Sequence, residues 1–242
     1  MGAAIYYVPH ADDEILTYGV SIKNHLNAGR EVVVVLYTKG WGSKVQNELN
    51  GTAYSPYWGA THNPTKEGYE TLDNDEFGDA RKREFINSCY ALGVNPSNVY
   101  FRPLTVTNSI TEMKNVILEF NTLFPAASHK AMSWKDRMGL ATDDPNEHSV
   151  SGYALKQLWQ AGTITDARFY ISRYNIMNGT ITGGSNELLA NSSHLPDLRH
   201  STRCYDAWAP MQGLFAIGYH SVKDQFDNFL ADVRSRYHLP TA

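Results

Sequence analysis

Four chemically versatile side chains stand together early in the sequence. His10, Asp12, Asp13 and Glu14 occur within "YYVPHADDEILTYG" (residues 6–19), directly after an apolar run. If a helix begins one residue after His10, then His10 and Asp13 can converge on one point while Asp12 is directed elsewhere. An imidazole and a carboxylate beside a second, free carboxylate suit a hydrolytic zinc site, because the free carboxylate can accept a proton from activated water.

The same acids also have a purely structural explanation. Carboxylates in the first turn of a helix complement the helix dipole and stabilise it by roughly a few tenths of a kcal/mol. The motif alone therefore leaves a metal site and an ordinary helix start as alternatives.

Strands and helices are predicted to alternate along most of the chain. Apolar runs rich in β-branched and aromatic residues predict strands, and apolar residues at helical spacing predict helices. The predicted strands are residues 3–9, 31–40, 97–104, 129–134 and 167–174, and the predicted helices are 13–29, 78–94, 110–124 and 147–162. This order predicts an α/β fold with a mostly parallel sheet flanked by helices, in which functional groups gather at the strand carboxyl ends. Because no repeat or linker divides the sequence, we expect one domain over residues 1–242.

Composition excludes several classes of protein. The 21 basic and 25 acidic residues give a net charge of −4 without charged blocks, which argues against nucleic-acid binding. The run "VVVVLY" (32–37) is too short to span a membrane, and no signal peptide is evident, so we expect a cytoplasmic protein. With two cysteines, Cys89 and Cys204, histidines and carboxylates would have to hold any metal. The sequence offers neither a GxSxG serine-hydrolase elbow nor a GxGxxG nucleotide loop after a strand.

Several stretches resemble one family in a fixed order. "PHADDE" (9–14) resembles the signature of the PIG-L, or LmbE-like, metal-dependent de-N-acetylases. "VVVVLYTKG" (32–40) is similar to the family's second strand, and "RKREFINSCYALGV" (81–94) to its R-x-x-E helix. "LFAIGYHSVKDQF" (214–226) is similar to its closing helix. The fixed order makes the resemblance far more specific than any single motif.

The resemblance implies a Rossmann-like fold that binds one zinc ion per chain. By position in the motif, His10 and Asp13 would be ligands and Asp12 the general base. "TDDPNEHSV" (142–150) offers His148 as the third ligand. The implied reaction is removal of an N-acetyl group from a small-molecule amino sugar or related metabolite.

The later motif departs from the family pattern H-x-D-H. Pro145 stands where the family usually has its first histidine, and Glu147 where it usually has aspartate. The group that would protonate the leaving amine is therefore unassigned, with His220 and Asp144 as candidates. The departure keeps two alternatives open, a family member that acts on a non-sugar amide and one that binds a ligand or partner without hydrolysis.

Two long segments with weak periodicity are predicted to form loops over the strand carboxyl ends. Residues 41–79 contain Trp41 and Trp58 among Gly, Ser, Thr and Asn, and residues 175–208 are similarly irregular. Aromatic faces beside polar groups suit a sugar, so we expect both tryptophans to contact substrate. Arg81 is a further candidate for substrate binding, although an arginine at this place more often pairs with a carboxylate.

The remaining histidines receive structural assignments. His129, at the start of a strand, is an alternative ligand or a structural hydrogen-bonding residue. Polar or irregular surroundings predict solvent-facing positions for His62, His194, His200 and His238. The sequence does not define the oligomeric state.

Overall fold

The computed structural model describes residues 2–136 and 145–241. At its centre lies a seven-stranded sheet with strands β1 (Ala4–Val8), β2 (Val32–Leu36), β3 (Val99–Phe101), β4 (Ser128–Met132), β5 (Ala167–Tyr170), β6 (Ser185–Leu188) and β7 (Arg234–His238). The spatial order is β3-β2-β1-β4-β5-β7-β6. The first five of these are parallel neighbours, and β7 runs antiparallel to both β5 and β6. This confirms the predicted Rossmann-like α/β fold.

Ten α-helices lie within the described residues. They are α1 (Asp13–Leu16), α2 (Gly19–Asn27), α3 (Lys44–Leu49), α4 (Pro64–Glu67), α5 (Asn74–Leu92), α6 (Ile110–Leu123), α7 (Ser149–Gln160), α8 (Arg173–Asn178), α9 (Leu195–Arg203) and α10 (Ile217–Ala231). Two short strand pairs join Tyr54–Ser55 to Ala60–Thr61 and Trp208–Ala209 to Leu214–Phe215.

Helices cover both faces of the central strands. Tyr6 and Val8 of β1 pack into a core with residues of α1, α2, α5, α9 and α10, and Ile5 and Tyr7 pack on the opposite face with residues of α6 and α7. A parallel strand buried on both faces is apolar throughout, which explains the uninterrupted valine run of β2.

The chain reverses its direction of travel across the sheet next to β1. From β1 it moves outward to β2 and β3, and it then crosses back to β4 on the other side of β1. Ala4 is accordingly paired with both Val32 and Ser128. Such a reversal opens a crevice at the carboxyl ends of the two strands that flank it, which is where open α/β sheets bind ligands.

A close contact brings α7 against the end of β4. A Cβ atom at Gly152 would lie 2.4 Å from the Met132 carbonyl oxygen and 2.5 Å from the Trp134 amide nitrogen. The absence of a side chain therefore allows the first turns of α7 to touch the backbone that leaves β4. His148 lies immediately before α7 as its N-terminal cap residue.

The predicted helix at 13–29 is divided in two. It begins at Asp13, because Asp12 has a φ angle of 138° that no helix accepts, and it breaks between Leu16 and Gly19. The buried Tyr18 lies at the break, and its hydroxyl donates to the Tyr7 carbonyl oxygen at 3.0 Å.

The segment 175–208 was expected to be an irregular loop, and that expectation is wrong. It contains α9 and strand β6, which pairs with β7 at the sheet edge. Leu198 and Tyr205 are buried in the core on one face of the sheet. The periodic pattern of apolar residues is weak in this segment, because a short edge strand and a nine-residue helix contain few apolar positions.

Among the described residues, no helix combines the length and the apolar character that crossing a membrane requires. The assignment of residues 1–242 to one domain stays a prediction.

Candidate metal centre and active site

Three side chains converge at the crevice beside β1. His10 follows β1, Asp13 is the first residue of α1, and His148 caps α7. Nδ1 of His10 and Nε2 of His148 are 3.0 Å apart, and they lie 3.6 and 3.5 Å from Oδ2 of Asp13. Four tetrahedral ligands at zinc distances of ~2.0–2.1 Å would be ~3.3 Å apart. The ligand atoms of His10, Asp13 and His148 are therefore spaced to fit zinc. Among the described residues, these three side chains form a group that could hold a metal ion.

A tight turn, rather than a helix, joins the first two of these residues. The Asp13 amide donates to the His10 carbonyl oxygen at 3.2 Å, and the His10 amide donates to Oδ2 of Asp13 at 3.2 Å. The expected convergence of His10 and Asp13 is thus present, and a turn rather than a helical start near Ala11 produces it.

Asp12 occupies the middle of this turn with its carboxyl buried beside the three converging groups. Burial and the Asp13 charge raise the pKa of Asp12 to about 7, and Arg81 opposes this rise. Arg81 Nη2 lies 4.0 Å from Oδ2 of Asp12. A carboxyl with a pKa near neutrality can both accept and return a proton, as general acid–base catalysis requires.

Glu14 fixes the unusual backbone of Asp12. Its Oε2 accepts from the Asp12 amide at 3.1 Å, and its Oε1 accepts from the hydroxyls of Ser88 at 2.5 Å and Tyr205 at 2.7 Å. Burial raises the pKa of Glu14 to about 8. Glu14 therefore supports the turn and does not face the three converging atoms.

The charges of the three converging groups depend on one another. Burial alone would lower the pKa of His148, but Asp13 and Asp136 outweigh it and raise the pKa to about 9. Burial likewise acts to raise the pKa of Asp13, and the two histidines outweigh it and hold that pKa below the ordinary value. The centre thus keeps Asp13 ionised, as a metal ligand must be.

Each histidine of the centre has a carboxylate on its outward side. His10 Nε2 donates to Oε2 of Glu147 at 2.6 Å, and this bond lowers the pKa of Glu147 to about 2. His148 Nδ1 donates to Oδ2 of Asp136 at 3.4 Å. The sequence analysis did not identify Asp136. Asp136 lies four residues after the end of β4, at the carboxyl edge of the sheet, and this position in the sequence could have identified it as a candidate.

Two cavities open beside the centre and share a wall. One of about 490 Å³ is lined by His10, Glu147 and the segment that follows β2. A neighbouring one of about 590 Å³ extends towards the first turns of α5. Trp41 and Arg81 line both cavities. This placement is compatible with the predicted contact between these two residues and substrate, and that contact stays a prediction.

His220 and Trp58 lie in a separate cluster. Nε2 of His220 is 3.0 Å from Nε2 of His62, and its Nδ1 donates to the Ala216 carbonyl oxygen at 2.9 Å. The ring centroid of Trp58 lies 5.0 Å from His62 and 4.6 Å from that of Trp208. Neither residue lines either of the two cavities described above. The catalytic role predicted for His220 and the substrate contact predicted for Trp58 stay predictions without a link to the centre.

Two histidines expected to face solvent are buried. His62 is 3% exposed and its Nδ1 donates to Glu67 at 2.7 Å, and His238 is 5% exposed and bonds to the Ser133 hydroxyl at 2.8 Å. The prediction of exposure rested on polar neighbours in the sequence. It failed because the segments that contain His62 and His238 pack against the rest of the structure. His129 bonds to the Tyr7 hydroxyl at 2.9 Å and is structural. Asp144, the other candidate acid, lies outside the described residues.

Comparison with known proteins decides the family. The model of the PIG-L family, described as GlcNAc-PI de-N-acetylase, matches residues 5–133, which is more than half of the chain. The chain belongs to the PIG-L family. No curated protein matches the sequence.

Solved structures share the PIG-L fold over almost the whole chain. The A40926 pseudoaglycone deacetylase is 12% identical with a TM-score of 0.63, over 98% of this chain and 96% of that one. A zinc-inhibited form of teicoplanin deacetylase is 13% identical with a TM-score of 0.60, over 97% of each chain. The 4-carboxy-2-hydroxymuconate hydratase of Pseudomonas putida is 12% identical with a TM-score of 0.57, over 98% and 95%. Because a hydratase has this fold too, the fold alone does not define the reaction.

Proposed function

We propose that this PIG-L protein is a zinc-dependent hydrolase that removes an N-acetyl or related acyl group from an amino sugar or an amino-sugar-containing metabolite. The observation that carries the proposal is the convergence of His10 Nδ1, Asp13 Oδ2 and His148 Nε2 at zinc-ligand spacing. The buried Asp12 carboxyl beside them supplies a proton acceptor.

The donor set supports one zinc ion per chain. Two imidazoles and one carboxylate leave a fourth position open, as catalytic zinc sites do. When bound, the ion would supply Lewis-acid activation of water and of the amide carbonyl. The zinc-inhibited form of a solved relative supports metal binding by this fold.

Asp12 performs the proton transfers in the proposed reaction. Its carboxylate accepts a proton as the oxygen of water attacks the amide carbonyl carbon. The same proton then passes to the nitrogen as the C–N bond breaks, so that acetate and a free amine are released. Pro145 offers no proton at the place where the family has a histidine, and His220 bonds into the separate cluster around His62. The pKa of Asp12, about 7, suits both directions of proton transfer, and in this proposal Asp12 acts as both base and acid.

The cavities support a substrate larger than the acetyl group itself. Trp41 and Arg81, on the wall shared by the two cavities, would contact the sugar ring and its hydroxyls. The family description names an N-acetylglucosamine conjugate, GlcNAc-PI, which supports an N-acetylamino sugar as the substrate class. A cytoplasmic location remains a prediction.

Acetate release tests the proposal directly. Wild-type protein, chelated and then reloaded with zinc, is incubated with N-acetylglucosamine, with N-acetylglucosamine joined to an aglycone, and with a simple acyl amide. We expect zinc-dependent acetate release from one or both sugars. We also expect the Asp12→Asn variant to lose turnover by at least ~100-fold while its zinc content, by elemental analysis, is unchanged.

Other outcomes point to the alternatives. Release from the simple amide without release from either sugar would favour a non-sugar amidase. One bound zinc ion without hydrolysis of any of the three compounds would favour a binding function. Full turnover by Asp12→Asn would show that the base is assigned wrongly.

A further inference from the structure

Each histidine of the centre is hydrogen-bonded to a carboxylate through the ring nitrogen that faces away from Asp13. Glu147 Oε2 lies 2.6 Å from Nε2 of His10, and Asp136 Oδ2 lies 3.4 Å from Nδ1 of His148. The two ring nitrogens that face Asp13 are the other pair, Nδ1 of His10 and Nε2 of His148. The two rings thus present different nitrogens to the same point.

A carboxylate behind an imidazole determines where its N–H lies. A neutral imidazole carries one N–H and one lone pair, and an ionised carboxylate can only accept a hydrogen bond. When both rings are neutral, as metal ligands must be, the N–H of His10 is therefore at Nε2, and that of His148 at Nδ1. The lone pairs that remain are directed at the three-residue centre, as metal binding requires.

The backbone and side chain of Glu147 are both held in place. Its carbonyl oxygen accepts from the Tyr37 hydroxyl at 2.5 Å, and its carboxylate also interacts with the Thr107 side chain. Pro145, two residues earlier, has no side-chain group that could compete for this carboxylate.

Asp136 is held still more firmly. Its side chain is completely buried, its amide donates to the Ser133 carbonyl oxygen at 3.0 Å, and Ser172 and Asn175 bond to its carboxylate. The close packing at Gly152 keeps α7, and with it His148, beside this turn.

We propose that Glu147 and Asp136 are positioning residues that fix the ring tautomers of His10 and His148, and thereby select Nδ1 of His10 and Nε2 of His148 as the metal-binding atoms. The inference rests on the proposed metal centre and deepens it. It assigns Glu147 a function in this chain that does not depend on the histidine missing at Pro145.

Zinc affinity of substituted proteins tests the proposal. Competition with a chromophoric chelator gives the dissociation constant of zinc for wild type, Glu147→Ala and Glu147→Gln. Removing such an outward partner typically weakens metal binding 10–100-fold, and we expect a loss of about that size for Glu147→Ala. Glu147→Gln should recover most of the loss, because its amide oxygen can still accept the N–H of His10.

A matched control comes from a second Glu–His pair among the described residues. Glu67 bonds to Nδ1 of His62 at 2.7 Å, outside the centre. Glu67→Ala removes the same kind of bond and should leave zinc affinity within twofold of wild type.

The ring nitrogens can be observed directly in the zinc-loaded protein. With ¹⁵N-labelled histidine, NMR distinguishes a nitrogen that carries hydrogen from one that binds metal. We expect hydrogen at Nε2 and metal at Nδ1 of His10, and the reverse for His148. Metal at Nε2 of His10, or zinc affinity of Glu147→Ala within twofold of wild type, would overturn the proposal.

These readouts separate the two proposals. If wild type binds no zinc, the proposed function fails and this inference fails with it. If wild type binds zinc and releases acetate, but Glu147→Ala retains full zinc affinity, the positioning role alone is wrong.

Discussion

At the scale of single residues, the least ordinary feature is the backbone of Asp12. Its φ angle of 138° lies where glycine is favoured, and such a conformation costs about 1–3 kcal/mol for another residue. The surrounding hydrogen bonds of Glu14 hold it there. The strain coincides with the residue to which the proposed reaction assigns both proton transfers.

Glu14→Ala should reveal how strongly this turn is held. The substitution leaves the buried Asp12 amide without an acceptor, so we expect the free energy of unfolding to fall by about 2–4 kcal/mol. Urea denaturation of metal-free protein measures it. Glu14→Gln is the control, because its amide can accept from Asp12 and donate to the hydroxyl of Ser88 or Tyr205. A loss below about 0.5 kcal/mol for the alanine variant would contradict the assignment.

His148→Ala should remove the metal. It deletes one of the three converging donors, so we expect zinc content to fall from near one per chain to near zero. Elemental analysis after dialysis gives the result. His200→Ala, an exposed histidine of α9, should keep its metal. Equal zinc in wild type and His148→Ala would place the metal elsewhere.

At the scale of elements, the sequence predicted what periodicity can report. Long helices and buried strands were found because their apolar spacing extends over many residues. The break in the helix at 13–29 escaped notice, since buried residues continue through Tyr18. The burial of His62 also escaped notice, because its partner His220 lies 158 residues away. Contacts of that kind leave no local pattern.

Gly152→Ala tests whether the approach of α7 to β4 positions the centre. The added Cβ would overlap the backbone at Met132 and Trp134. We expect a loss of about 1–3 kcal/mol in stability, from overpacking. We also expect weaker zinc binding, because His148 moves with the helix. Gln157→Ala, exposed on the same helix, controls for helix content. If Gly152→Ala were destabilised but bound zinc as tightly as wild type, the contact of α7 with β4 would stabilise the fold without positioning His148.

At the scale of the whole molecule, buried histidines make folding sensitive to acid. Burial lowers the pKa of His129, His220 and His238 to about 4, whereas an unfolded histidine titrates near 6.5. Between those values the unfolded chain binds more protons, so the free energy of unfolding falls as pH falls from about 6.5 to about 4. We expect each histidine to contribute about 1–3 kcal/mol to this loss.

A variant isolates one of these contributions. His129→Gln removes one titrating group at the amino end of β4, away from the centre. Its free energy of unfolding should fall less than that of wild type between pH 7 and pH 4.5, by about 1–2 kcal/mol. Urea denaturation at the two pH values makes the comparison. Parallel pH curves for the two proteins would show that His129 is protonated in the folded state.

The sequence also predicted the mostly parallel sheet and the three residues that converge, His10, Asp13 and His148. Strands alternating with helices determine a parallel sheet, and the contiguous motif at 9–14 marks its functional edge. Asp136 and Glu147 could not be assigned their bonds in this way, because a hydrogen bond to a particular ring nitrogen depends on how α7 docks against β4.

The reversal of strand order beside β1 has a consequence for biosynthesis. His10 and Asp13 precede the reversal and His148 follows it, so a growing polypeptide on the ribosome holds two donors long before it holds the third. Chains fold from the amino terminus as they emerge. In the proposed metal centre, tight capture of zinc would therefore wait until β4 and α7 have docked. Metal loading would then become a maturation step that reports the docking of β4 and α7.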